Sequence, residues 1–185
     1  MARKIALLVG SLRKDSFTRK VADAVGALAA PALELVHVEI GTLPPFNQDL
    51  EQTPPKEWVA LRDQVRPLDG VLFATPEYNR SVPGVLKNAI DVGSRPYGQS
   101  VWSGKPGAVI SVSPGAIGGF GANHHLRQML AFLDVPCLQQ PEMYLNNAAK
   151  LFDPNGRLDN DAILELLQKF VTAFTRWVEL HASAR

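Results

Sequence analysis

Three hydroxyls and one guanidinium crowd the stretch Gly10-Ser11-Leu12-Arg13-Lys14-Asp15-Ser16-Phe17-Thr18. Ser11, Ser16 and Thr18 offer O–H donors, and Arg13 offers a planar fork matched to phosphate oxygens. The apolar run Ile5-Ala6-Leu7-Leu8-Val9 precedes them, and a helical pattern with Val21, Val25 and Leu28 on one face follows. A strand, a short polar loop and a helix N-terminus form a common phosphate grip, because the first amides of a helix have no intrahelical partner and carry partial positive charge. A lone Ser or Thr would need only to cap the helix. Three hydroxyls and an Arg within eight residues exceed a cap. Neither G-x-x-x-x-G-K-[ST] nor G-x-G-x-x-G follows this strand, so the expected phosphate is terminal and held by hydroxyls.

Two more stretches carry unusual chemistry. Pro76-Glu77-Tyr78-Asn79-Arg80-Ser81-Val82-Pro83 places charge, an aromatic ring and an amide between two prolines. A stiff loop of that kind holds its backbone polar groups still, as recognition of the edge of a flat heterocycle requires. Ser113-Pro114-Gly115-Ala116-Ile117-Gly118-Gly119-Phe120-Gly121 has four glycines in seven residues. Glycine is entropically costly, so that density suggests a backbone closely approached by a ligand.

The elements that position these loops follow from periodicity. Strands are expected at residues 5–9, 33–40, 70–75, 107–112 and 136–145. The second has the partial alternation of an edge strand, and the third is apolar throughout, as a central parallel strand should be. His37 falls inside the second and is assigned no role. Helices follow each strand: one opened by Pro54 and Pro55 and running through Trp58, Leu61 and Val65; one with Val85, Leu86, Ala89 and Ile90; one with Leu126, Met129, Leu130 and Leu133. Residues 94–105 read as polar loop, and Pro154-Asn155-Gly156 as a turn within a loop from Leu151 to Leu158. A last helix is capped by Asp159 or Asn160, with Ile163, Leu166, Leu167, Phe170, Phe174 and Trp177 as its core stripe. Five alternations predict an α/β three-layer sandwich, flavodoxin-like, with a five-stranded parallel sheet in the order 2-1-3-4-5. Ligands in such sheets sit beyond the carboxyl ends of the strands at the switch between strands one and three. The three loops should therefore converge there. A phosphate at one end and a flat heterocycle at the other describe a mononucleotide, and in this fold FMN is the expected one.

The 185 residues are expected to form one domain, and the near-neutral charge of +1 argues against nucleic acid as a partner. One cysteine, Cys137, excludes an intrachain disulfide and a cysteine-based metal cluster. No apolar run reaches about 18 residues, and no signal-peptide pattern opens the chain, so a soluble cytoplasmic protein is expected.

The Gly10–Thr18 stretch, Pro76-Glu77-Tyr78-Asn79 and the following Leu86-Lys87-Asn88-Ala89-Ile90-Asp91 together resemble the NADPH-dependent FMN reductase family, most of all its bacterial quinone and chromate reductases and related azoreductases. The resemblance runs from Ile5 to the final helix. It implies tightly bound FMN, NAD(P)H as co-substrate, a small-molecule electron acceptor and a homodimer or homotetramer. By matching positions Ser11, Arg13, Ser16, Phe17 and Thr18 would hold the phosphate. Pro76, Glu77, Tyr78 and Asn79 would hold the ring and ribityl chain, with Ser113 and Gly115 lining the other side. Arg80, Ser81 and Gly118 are the expected substrate contacts, Arg80 a candidate for the 2′-phosphate of NADPH. Thr18 departs from the family, which most often has Asn there. His124 also differs from close relatives, at the start of a helix the family uses in assembly. The implied chemistry is hydride transfer from NAD(P)H to flavin N5, then two electrons to a quinone, azo compound or oxidised metal ion such as chromate, in ping-pong order. No catalytic side chain is expected. Glu77 is the one proposable acid–base group, against a competing salt bridge with Arg80. A receiver domain is rejected, because it needs an acidic pair after strand one and an acceptor Asp after strand three. An FMN-binding electron carrier, and a reductase component that supplies reduced FMN to a monooxygenase, stay open as alternatives.

Overall fold

The side chains of the first strand divide the molecule in two. In the computed structural model, which describes residues 2–182, β1 (Arg3–Val9) turns Ile5, Leu7 and Val9 to one apolar layer and Ala6 and Leu8 to the other. Period-two alternation between two buried faces requires helices on both sides of the sheet. On the first side lie α1 (Phe17–Ala29) and α5 (Asp161–Ala182), whose Val21, Val25, Leu167, Phe170 and Phe174 are fully buried. On the second lie α2 (Lys56–Val65), α3 (Gly84–Gly93) and α4 (Phe120–Phe132), which bury Trp58, Leu86 and Leu126. With β2 (Leu33–His37), β3 (Gly70–Thr75), β4 (Gly107–Val112) and β5 (Met143–Leu145) the sheet is five-stranded, parallel and ordered β2-β1-β3-β4-β5, as expected. No helix among the described residues is long and apolar enough to cross a membrane.

Three local expectations need correction. The second strand stops at His37, although Val38 N–H still donates to the Leu7 carbonyl. The fifth strand is only Met143–Leu145. Its expected first half pairs with β4 at Cys137 alone and then leaves the sheet, because Pro141 has no N–H to donate. The segment 94–105 is not simply polar loop. Trp102 is fully buried there, packs against Phe73 and donates its indole N–H to the Ile90 carbonyl at 2.9 Å. Gly93 leaves room for that ring, since a Cβ would lie 2.3 Å from it.

Candidate functional site

All strands run the same way, so their carboxyl ends open on one edge, and the three unusual loops meet there. Gly10 joins the first two. Its N–H donates to the Ala74 carbonyl at 2.8 Å, and a Cβ at Gly10 would press on Leu86 and Pro76 at 3.2 and 3.3 Å. Between these loops lies a cleft of about 300 Å³ lined by Gly10, Leu12, Arg13, Tyr78, Pro83, Gly84 and Val85.

The first loop ends at the N-cap Ser16, whose Oγ accepts from Arg19 N–H at 3.2 Å. Capping therefore does explain Ser16. The amides of Phe17 and Thr18 lie at the first two helical positions, outside the intrahelical ladder. Ser11, Ser16 and Thr18 are all buried, whereas Arg13 stands exposed at the cleft. Among the described residues Arg13 forms no ion pair. The Phe17 ring stacks on Phe152, centroids 5.7 Å apart, so Phe17 brings only its backbone to the loop.

The second loop is a tight reverse turn. Tyr78 and Ser81 exchange both backbone hydrogen bonds, at 2.9 and 3.0 Å. The two residues between them, Asn79 and Arg80, have φ of +50° and +64°. Asn tolerates that region, but a left-handed Arg costs about 1–2 kcal/mol. The turn leaves the Tyr78 ring half exposed beside the cleft. Glu77 points the other way. Its side chain is 9% exposed and pairs with Arg80 at 3.1 Å. Its Oε2 accepts from Ala122 N–H at 3.0 Å, in the first turn of α4. The salt-bridge reading of Glu77 thus holds, and the carboxylate also caps a helix, where the dipole favours negative charge. Glu77→Ala should lower stability by about 1–2 kcal/mol through the orphaned amide and the freed Arg80, and Glu77→Gln by less. Differential scanning calorimetry checks this. If Glu77 moved a proton instead, Glu77→Gln would reshape the pH profile of kcat, and no such change is expected.

The third loop, which begins at Ser113, uses its glycines internally. Gly118 has φ +61°, and a Cβ would lie 2.7 Å from the Tyr144 backbone. Gly119 has φ +76° and sits over Ser111, and a Cβ at Gly121 would meet the Arg80 carbonyl at 2.7 Å. Three of the four glycines are thus accounted for by turn geometry and packing without any ligand. Gly115 is open, with its N–H on Ser113 Oγ at 3.1 Å. Ser81 Oγ lies 3.0 Å from His125 Nδ1, so the second loop is tied to α4 at this point too.

One residue that sequence reading missed holds this end of the sheet together. Asn123 is fully buried and donates to Ser111 Oγ and the Met143 carbonyl at 3.2 and 3.3 Å. Its own carbonyl oxygen accepts from Arg127 Nε at 2.9 Å. A signal existed: Asn123 falls on the same helical stripe as Leu126 and Leu130, where an amide is out of place. Nearby, Phe120, His124 and Tyr144 form an aromatic group, with His124 Nε2 at 2.9 Å from the Tyr144 hydroxyl. Burial, then the neighbouring Glu142, pushes the Tyr144 phenol up to about 12. Burial likewise raises the Cys137 thiol, which disfavours a nucleophilic thiolate there.

Residues 3–150 match the NADPH-dependent FMN reductase family. The chain belongs to this family. It is 62% identical over 178 residues to a quinone reductase of Pseudomonas putida, covering 96% of this chain and 95% of that one. It is 47% identical to a 2-hydroxy-1,4-benzoquinone reductase of a Burkholderia species, covering 96% and 97%. Among solved structures it resembles FerB, a flavoenzyme NAD(P)H:(acceptor) oxidoreductase from Paracoccus denitrificans, with TM-score 0.92, 42% identity and coverage of 97% and 99%.

A member of this family is an oxidoreductase that works with FMN. The residues at the sheet edge fit that flavin. The free Arg13 guanidinium and the α1 amides suit a terminal phosphate, and the half-exposed Tyr78 ring across the cleft suits a flat partner.

Proposed function

We propose that this protein reduces quinones with electrons from NAD(P)H, through FMN bound in the cleft between the Gly10–Ser16 loop and Tyr78. The observation that carries the reading is that cleft, with the exposed Arg13 on one wall and the exposed Tyr78 ring on the other. The names of the two bacterial relatives, quinone reductase and 2-hydroxy-1,4-benzoquinone reductase, support the acceptor class.

Ser11, Arg13, Ser16, Phe17 and Thr18 take the phosphate in this reading. Pro76 to Asn79 take the ring edge and ribityl chain, with Glu77 contributing backbone and bracing, and Ser113 and Gly115 close the far side. Arg80, Ser81 and Gly118 border the substrate position. When bound, FMN supplies the hydride acceptance and two-electron release that no side chain provides. The balance is NAD(P)H, one proton and quinone giving NAD(P)⁺ and hydroquinone, with the proton drawn from solvent. Azo compounds and chromate are further proposed acceptors, and a substrate position shared by donor and acceptor predicts ping-pong kinetics. Exposed Phe120 and Phe132 on α4 support a homodimer or homotetramer, and the proposed compartment is the cytoplasm.

The test is the visible spectrum of the purified protein before and after anaerobic NADPH, followed by addition of a benzoquinone. A flavin band that bleaches with NADPH and returns with quinone is expected. A band that persists under NADPH would sink the reductase reading and favour a carrier. A band that bleaches but does not return with quinone would sink the acceptor assignment alone.

A further inference from the structure

Two clefts meet at Gly84. The first is the 300 Å³ cleft beside Arg13 and Tyr78. The second, of about 440 Å³, runs between α3 and the loop that follows β2, and Leu43, Pro45, Phe46 and Val85 give it apolar walls. Gly84 and Val85 line both.

Glycine at position 84 has no internal cause. Its φ is not positive, and a Cβ there would meet nothing within 4 Å. Gly93, Gly118 and Gly121, by contrast, are each pressed by a neighbour at under 3 Å. Gly84 opens α3, where alanine would favour the helix more. Gly84 also borders a third cleft, with Ser81 and His125, so a side chain at this point would narrow the openings that these clefts share.

The far wall is built to stay in place. Asn88 Oδ1 accepts from Phe46 N–H at 2.7 Å, and its Nδ2 donates to the Pro44 and Leu43 carbonyls at 3.1 and 3.3 Å. Pro44 also accepts from the Trp58 indole at 2.9 Å, and the Phe46 ring stacks on Trp58. Asn88 belongs to the Leu86–Asp91 motif. It borders the second cleft, and its amide is spent on holding the loop.

We propose that this second cleft is a subsite for the apolar substituent of a ring-substituted quinone, whose ring lies against the flavin held in the first cleft. The inference rests on the quinone-reductase reading above. An alkyl substituent suits these walls better than the phosphates of a dinucleotide do. The one cation at the rim, Lys87, is already matched by Asp91 at 2.6 Å.

The experiment uses the FMN-loaded enzyme and two benzoquinones that differ only by a pentyl tail. The tail is expected to raise kcat/KM at least about tenfold, since each well-placed methylene contributes measurably to discrimination. Pro45→Asp, at an exposed loop position, and Gly84→Leu should bring that ratio close to one. The dissociation constant of the tailed quinone, measured on oxidised enzyme without NAD(P)H, should rise in parallel. A ratio near one in the parent enzyme overturns the subsite, as does a ratio that survives both substitutions. Substitutions that raise KM for NAD(P)H and leave the quinone ratio intact also overturn it, because they place the dinucleotide there. If NADPH bleaches the flavin and neither quinone is reduced, the acceptor reading fails first. The binding measurement then still decides whether the cleft takes an alkyl chain.

Discussion

Replacing Arg13 with alanine is expected to weaken FMN binding about a hundredfold and leave the fold unchanged. The side chain is exposed and bears no ion pair among the described residues, so its removal breaks no internal ion pair. A charge-assisted hydrogen bond is worth about 1.5–3 kcal/mol, and the fork geometry of Arg places it at the upper end with phosphate. About 2.7 kcal/mol is a hundredfold in affinity. Arg13→Lys should restore only part of it, because an ammonium keeps the charge and loses the bidentate fit. Ser16→Ala gives a different signature. It removes the N-cap bond to Arg19 and should cost about 1 kcal/mol of stability as well as affinity. Flavin fluorescence titrations of the apoprotein, paired with melting curves, separate the two. An Arg13→Ala protein that binds FMN within about threefold of the parent would remove Arg13 from the phosphate site.

The architecture was legible because burial on both faces leaves a plain mark. β1, β3 and β4 are short apolar runs ended by Gly, Pro or Ser, and a parallel sheet covered on both sides needs that composition. The loops at their carboxyl ends could be named from sequence because strand order alone brings them together. What stayed hidden was tertiary in origin. Trp102 reads as loop because its neighbours are polar, and its burial depends on space left by Gly93, nine residues earlier. The glycines of the third loop resemble a ligand cradle in sequence. Gly118 and Gly121 instead face the Tyr144 backbone and the Arg80 carbonyl, partners that no local window contains. Glu77 looked like a possible proton carrier until the structure gave its carboxylate two internal partners, Arg80 and the Ala122 amide. The misses at Trp102 and in the third loop concern contacts made by the tertiary fold, of which composition carries no record, whereas the Glu77–Arg80 pair, three residues apart, was within reach of the sequence.

Asn123→Leu should lower stability by about 3 kcal/mol, a larger loss than either Glu77 variant. The amide is fully buried, and two of its three hydrogen bonds end on strands of the sheet, while the third ties it to Arg127 one turn on in α4. Through Ser111 it reaches β4, through the Met143 carbonyl it reaches β5, and through Arg127 it reaches the Leu138 carbonyl at 2.9 Å. Ser111 Oγ in turn lies 2.8 Å from the Gly118 carbonyl, so the third loop hangs on the same network. Leucine has the same branched heavy-atom skeleton and opens no cavity, so the loss is chiefly polar, with a smaller part from its bulkier methyl groups. The Arg127 Nε would lose its partner, at about 1–3 kcal/mol for an orphaned group, and the Met143 carbonyl would keep only its bond from Ser111 Oγ. For a chain of this size that is a fall of about 6–12 °C in Tm. The functional consequence is separable. Well below the transition, where the chain is folded, a loosened Ser113–Gly119 loop should still weaken FMN binding, and an increase in amide exchange should be confined to that loop and β5. A Tm within about 2 °C of the parent would mean that apolar packing alone holds this end of the sheet. The proposed flavin site would then owe its shape to the strands and not to the buried amide.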